Sequence, residues 1–285
     1  MNNNMTEKEP MDSRENQQEE GKNVSRRTAL KHIGLGAAGT LGAVYGLDKL
    51  RTRKTTNTEA GGQPNVAPVS TTVPVSADAP MKVLLINGSP RRSGNTFICL
   101  SEIIDILHAE GIQTHLIQIG VNPRQGCTAC NACVESGECV FTDTTYLEIV
   151  QHLSDSDGLI VGSPVYFSGP TGPLCAILDR LFYTSGELLH NKAAAAITVC
   201  RRSGGTATLD RLHKYFAFAR MPIITSQYWN IAHGAAVGEV REDKEGLQIM
   251  RTLARNMAWS IRNTRLAQQV PPVKETPRER TNFVR

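Results

Sequence analysis

From Met81 onward, short apolar runs alternate with segments whose apolar residues recur at helical spacing. Met81–Ile86 (MKVLLI) ends in Asn-Gly-Ser-Pro, the pattern of a buried parallel strand leaving its sheet. Asn95–Glu110 carries Ile98, Ile103, Ile106 and Leu107 on one helical face, and Gly111 stands where a C-cap belongs. Gln113–Ile119 reads as a second strand and Thr144–Leu153 as a helix. Gly158–Gly162 is a third strand, followed by a helix over Leu174–Tyr183. Lys192–Val199 reads as a fourth strand, although its alanines alone would suit a helix. Thr206–Ala219 is a helix, Met221–Thr225 a fifth strand, and Lys244–Arg265 a long amphipathic helix with Leu247, Met250, Leu253, Met257 and Ile261 on one stripe.

Five strands alternating with helices imply an α/β fold, a doubly wound five-stranded parallel sheet with helices on both faces. Ligands of such sheets bind beyond the carboxyl ends of the strands, where strand order reverses. The loops after the first, third and fourth strands are therefore expected to converge.

The chain outside this region reads differently. Residues 1–24 are polar without apolar period and are expected to be disordered, residues 52–80 have linker composition, and 269–285 form a Pro-rich charged tail, leaving 81–268 as the folded domain. In residues 25–51, Ser25-Arg26-Arg27-Thr28-Ala29-Leu30-Lys31 precedes a weakly apolar run from Ile33 to Leu47 and a basic flank. This resembles a twin-arginine export signal, departing from it at Ala29, where Phe is usual. The resemblance implies handling by the twin-arginine export machinery and a periplasmic or membrane-anchored location. A short amphipathic helix in a cytoplasmic protein is the alternative. The apolar run is shorter than the roughly 20 residues that span a bilayer.

Charge adds an exclusion. The net charge of +4, from 31 basic and 27 acidic residues, is too balanced for the concentrated footprint of a nucleic-acid-binding protein.

The first strand–helix loop, Asn87–Thr96, has the composition of an anion nest. Ser89, Ser93, Asn95 and Thr96 offer hydroxyl and amide groups, Arg91 and Arg92 offer charge, and the helix N-terminus adds its dipole. The spacing is neither GxGxxG nor GxxxxGK[ST], which argues against a dinucleotide site and a P-loop. A monophosphate such as that of FMN fits better; an ordinary turn with a Ser/Asn cap is the alternative.

NGSPRRSGNT, GSPVYFSGPTGPLCAILDRLF and CRRSGGTAT together resemble the NADPH-dependent FMN reductase family of the flavodoxin superfamily, in its iron–sulfur-flavoprotein-like branch. The resemblance implies a flavodoxin-like fold and that Asn87–Thr96 holds the FMN phosphate. It also implies that Pro164, Val165, Tyr166 and Phe167 lie against the isoalloxazine, and that Arg201, Arg202, Gly204 and Gly205 close its other side. Packing in the core is expected for one of the two aromatics. Trp229 and Asn230 are expected near the flavin or a partner subunit, Asp179-Arg180 as a structural or dimer-contact pair, and His233 in a structural role.

Cys127, Cys130, Cys133 and Cys139 stand within thirteen residues, in a segment poor in apolar side chains. Thiolates so spaced suit a [4Fe–4S] cluster, and the spacing resembles that of iron–sulfur flavoproteins. A structural zinc ion and free thiols or a disulfide are the other readings. Cys99, Cys175 and Cys200 read as small buried or pocket-lining residues.

These features point to an FMN-dependent oxidoreductase that moves electrons between a two-electron donor and an acceptor. The family implies NAD(P)H as co-substrate, whereas export points to a quinone or another small-molecule or protein redox partner. The other readings are an exported electron carrier without a substrate of its own and a zinc-stapled binding module. The family resemblance also implies a homodimer or homotetramer, because the long cysteine loop would leave a cluster exposed in a monomer. No side-chain acid or base is nominated, because the cofactors carry the chemistry.

Overall fold

The computed structural model describes residues 79–267; the expectations for residues 1–24, 25–51, most of 52–80 and 269–285 lie outside them. Among the described residues no helix is long and apolar enough to cross a membrane. Five strands, β1 (Lys82–Asn87), β2 (Gln113–Gln118), β3 (Gly158–Pro164), β4 (Ala193–Cys200) and β5 (Ile231–His233), pair in the order β2-β1-β3-β4-β5. Every pairing is parallel. This is the flavodoxin-like order, with its reversal between β1 and β3.

Alternation along each strand builds a core on either face. Leu84 and Ile86 of β1 join Tyr146, Ile149 and Leu153 of α3 (Thr144–Ser154), together with α4 (Gly172–Thr184) and α6 (Gly205–Phe218). Val83 and Leu85 face the other way, onto α1 (Asn95–Ala109) and α7 (Lys244–Ala267). The alanines of β4 are strand after all, and all eight residues of that strand are buried. Burial between two helical layers overrides their helix propensity, and their small side chains leave room for Phe216 on one face and Met257 on the other.

The fifth strand is not where hydrophobicity places it. Of Met221–Thr225, only Ile223 makes an isolated bridge to Ala194, with Ala194 N–H donating to Pro222 O at 2.9 Å and Ile224 N–H to Ala194 O at 2.7 Å. Pro222 has no N–H to extend the ladder. The chain loops out over 226–230 and rejoins at Ile231, opposite Thr198. In the gap, buried Asn230 donates through Nδ2 to Ala196 O at 3.1 Å, substituting for a ladder bond. Two short helices, α2 (Ala132–Ser136) and α5 (Gly186–Leu189), and a 3-10 turn at Glu239–Glu242 complete the structure.

Candidate functional site

The loop after β1 is held from below by side chains. Ser89 N–H donates to Asn87 Oδ1 at 3.0 Å, Arg91 N–H to Ser89 Oγ at 3.1 Å, and Gln118 Nε2 to Ser89 O at 2.5 Å. Asn87 Nδ2 closes the ring by donating to Gln118 Oε1 at 2.7 Å. Ser89 and Thr96 are buried, while Arg91, Arg92 and Ser93 are exposed. The N-cap of α1 is Gly94, and no side chain caps it. The first-turn N–H groups of Asn95, Thr96 and Phe97 therefore have no intrahelical partner and carry the positive end of the helix dipole. The amide of Asn95 is turned elsewhere: Nδ2 donates to Ala236 O and Oδ1 accepts from Gly238 N–H, both at 2.8 Å. The Asn95 side chain thus tethers the loop after β5.

The loop after β3 meets this one through Thr171, which sequence reasoning missed. Its Oγ1 donates to Gly88 O at 2.7 Å, and its N–H donates to Ser163 Oγ at 3.2 Å. Val165 N–H donates to Val199 O at 3.0 Å, after which Tyr166 and Gly169 exchange backbone bonds of 2.8 and 2.9 Å across a tight turn. Both central residues, Phe167 (φ 49°) and Ser168 (φ 59°), are left-handed, a conformation that non-glycine side chains seldom adopt. Tyr166 is half exposed and Phe167 completely so. Neither packs in the core, contrary to the expectation for one of them. The turn thus holds an aromatic side chain out from the end of β3 in a strained conformation.

Arg201, Arg202 and Ser203, in the loop after β4, are exposed. Gly204 is left-handed (φ 87°), and a Cβ there would lie 2.9 Å from both Ser168 Oγ and Val165 Cγ1. Only glycine lets the two loops touch. Gly205 opens α6, whose N-cap, Gly204, also lacks a side-chain cap. Of the remaining residues, Trp229 is exposed, and His233 has its N–H donated to Asp243 Oδ2 at 2.6 Å, a structural partner. The loop after β5 bends onto Glu239, whose Oε2 accepts from Ala235 N–H at 2.6 Å and Ala236 N–H at 2.7 Å. These bonds, with the nearby Arg201 charge, hold its carboxyl below the usual range.

Cys127, Cys130, Cys133 and Cys139 all line one pocket, together with Phe141, Arg180, Tyr183 and Thr184. Cys127 and Cys130 are exposed, and Cys133 and Cys139 half-buried. Ala129 (φ 54°) and Asn131 (φ 60°) turn the chain back on itself between the thiols. No three of the sulfurs come within 4.8 Å of one another.

A clamp unforeseen from sequence closes the base of this segment. Asp143 accepts from Arg124 at 2.9 Å through Oδ1 and from Arg180 at 2.6 Å through Oδ2. The same guanidinium groups donate to Ile119 O and Phe141 O, each at 2.7 Å. Asp143 also caps α3, accepting from Tyr146 N–H. Burial would raise the Asp143 carboxyl, but the Arg180 bond, the Tyr146 N–H and the two positive charges outweigh it and hold it below the usual range. Arg180 is thus engaged within its own chain, and its buried Nε–H, on the pocket wall, has no partner. The available signal was a charge inside the apolar stripe Leu174, Ile177, Leu178 and Leu181. Its neighbour Asp179 accepts from the Tyr215 hydroxyl.

Residues 81–236, which hold all these loops except the end of the one after β5, match the family model described as NADPH-dependent FMN reductase. The chain belongs to the NADPH-dependent FMN reductase family. An iron–sulfur flavoprotein of Methanocaldococcus jannaschii is 34% identical over 190 residues, covering 64% of this chain and 98% of the relative. The iron–sulfur flavoprotein of Methanosarcina thermophila is 28% identical over 183 residues, covering 62% and 93%. Among solved structures, RosB with a bound riboflavin-phosphate intermediate aligns with a TM-score of 0.51 at 16% identity, over 72% of this chain and 96% of RosB. A flavone reductase aligns with a TM-score of 0.52 at 18% identity, over 65% and 64%. These two likenesses establish the flavodoxin-like fold. As a member of the FMN reductase family, the chain is an FMN-binding oxidoreductase of the iron–sulfur flavoprotein kind.

Proposed function

We propose that this oxidoreductase couples FMN, held by the loops after β1, β3 and β4, to a [4Fe–4S] cluster held by Cys127, Cys130, Cys133 and Cys139. The N–H groups of Asn95 and Thr96, with the side chains of Ser89, Arg91, Ser93 and Thr96, hold the FMN phosphate at the uncapped start of α1. Pro164, Val165, Tyr166 and Phe167 border one side of the flavin ring, and Arg201, Arg202, Gly204 and Gly205 the other. When bound, FMN supplies an electron pair acceptor able to release electrons singly, and the cluster a one-electron site. The chain's own part is to bind, orient and charge-balance them. Arg201 and Arg202 offset negative charge beside the ring, and the buried Arg180 offsets it beside the thiolates.

The observation that carries the reading is the single pocket shared by all four thiols, with an unpartnered buried Arg180 Nε–H in its wall. Helix α4 links the two regions: Thr171 at its start bonds the phosphate loop, and Arg180, nine residues on, lines the cysteine pocket. That separation is about 14 Å of helix rise. NAD(P)H is the donor by family, with a quinone or redox protein in its place if residues 25–51 direct twin-arginine export to the periplasm. Exposed Val140 and Tyr183, which line the pocket, support a homodimer or homotetramer that covers it.

Anaerobic purification with an absorption spectrum and iron, sulfide and zinc analysis tests the reading. It expects flavin bands with four iron and four sulfide per chain. Zinc at one per chain without sulfide overturns the cluster while leaving the flavin site intact. Turnover of NAD(P)H with a flavin or quinone acceptor distinguishes an enzyme from a carrier reduced only by a protein partner.

A further inference from the structure

Away from both sites, His115 on β2 and Glu148 and His152 on α3 bring three ligand atoms within 4.8 Å of one another. Strand alternation puts His115 on the sheet face of Ile117, the face that α3 covers. On α3, Glu148 and His152 lie four residues apart, one turn along the same side of the helix. An apolar residue would continue the core at position 115, whose side chain is instead 41% exposed and meets an acidic and an imidazole group.

His115 Nε2 and Glu148 Oε1 are 3.3 Å apart, longer than a good charge-assisted hydrogen bond. The distance matches the ligand–ligand edge of about 3.3 Å expected for a tetrahedral ion with bonds of about 2.0–2.1 Å. The rings of His115 and His152 stack at 3.5 Å with planes 16° apart. Coordination by both requires one of them to turn about its Cβ–Cγ bond, which partial exposure permits. Two imidazoles and one carboxylate are a donor set for zinc and its neighbours among the divalent transition metals, with one position left for water.

We propose that His115, Glu148 and His152 form a binding site for a divalent transition cation, zinc in the first instance, that staples the edge strand β2 to α3. The site is independent of the thiol pocket and of the electron-transfer reading. Its consequence is local: β2 leads into the cysteine segment and α3 leads out of it, so an ion joining them fixes both its flanks.

The test uses the full-length, cofactor-loaded protein, its cysteines unchanged throughout. Zinc binding is measured by equilibrium dialysis, and thermal unfolding is followed with and without zinc. Wild type should hold one more zinc ion per chain than His115→Ala/His152→Ala, and zinc should raise its unfolding temperature but not that of the double variant. Each single histidine variant should weaken that ion at least tenfold, and Glu148→Gln should weaken it too. Equal stoichiometry and equal zinc-induced shifts in wild type and double variant overturn the site. If His115→Ala disturbs β2, His152→Ala and Glu148→Gln, both on the rim of α3, carry the same comparison.

Discussion

Arg180, whose side chain has no solvent-exposed surface, donates to Asp143 Oδ2 at 2.6 Å while Arg124 takes the other carboxylate oxygen. One carboxylate therefore balances two cations at the base of the cysteine segment. Removing it strands a buried guanidinium.

Asp143→Asn keeps a side-chain acceptor for the α3 cap and removes the charge. It should destabilise the protein by about 2 kcal/mol, the scale of a broken, partly buried charged hydrogen-bond pair. Asp143→Ala should cost about 1 kcal/mol more, because the cap goes too. Urea unfolding of the three proteins separates these contributions; equal midpoints for wild type and Asp143→Asn would show the clamp to be idle.

The same pair sets an acid limit. The folded carboxyl titrates below its unfolded value of about 3.9, so the unfolded chain takes up the proton first. The stabilisation is complete above that value and is lost as pH falls through the folded one. Unfolding temperatures of wild type and Asp143→Asn should differ at neutral pH and converge in acid; a gap independent of pH would contradict this.

Backbone strain beside the proposed flavin predicts opposite outcomes at two residues. Phe167→Gly relieves a left-handed non-glycine residue and should raise stability by up to about 1 kcal/mol while weakening FMN binding. Gly204→Ala introduces strain and a Cβ 2.9 Å from Ser168 Oγ and Val165 Cγ1, and should cost about 1–2 kcal/mol as well as FMN affinity. Denaturation paired with fluorescence titration of apoprotein by FMN reads both effects.

Thiol reactivity should follow exposure. In metal-free protein, iodoacetamide should label Cys127 and Cys130 first. Cys99 should resist until unfolding, because burial, with help from Asp243 and Glu102, pushes its thiol up to about 12. Mass-spectrometric mapping over time gives the order, and early labelling of Cys99 would refute it.

The sheet was legible because Val83–Ile86 of β1, β3 and most of β4 lie between two helical layers, which makes these positions apolar or small. The site loops were legible where their chemistry is local, as in Ser89–Thr96 and the clustered cysteines. The tethers were not. Thr171 to Gly88, Asn95 to Ala236 and Gly238, and Arg180 to Asp143 join residues far apart in sequence, and nothing in their neighbours announces the partner. Asn95 shows the cost: its position beside a phosphate loop suggests a ligand contact, whereas both ends of its amide serve the loop after β5. The misplaced fifth strand has a similar origin, since Met221–Thr225 has strand composition but only Ile231–His233 keeps a continuous ladder with β4.

That interruption has a bearing on solubility. An uninterrupted outer strand would offer a row of free amides and carbonyls to any other chain in extended conformation. With Pro222 at one end, a looped-out segment in the middle and three paired residues at the other, the rim beyond β4 is a poor template for such growth. The protein can keep an apolar β4 next to its border without inviting fibres from that side.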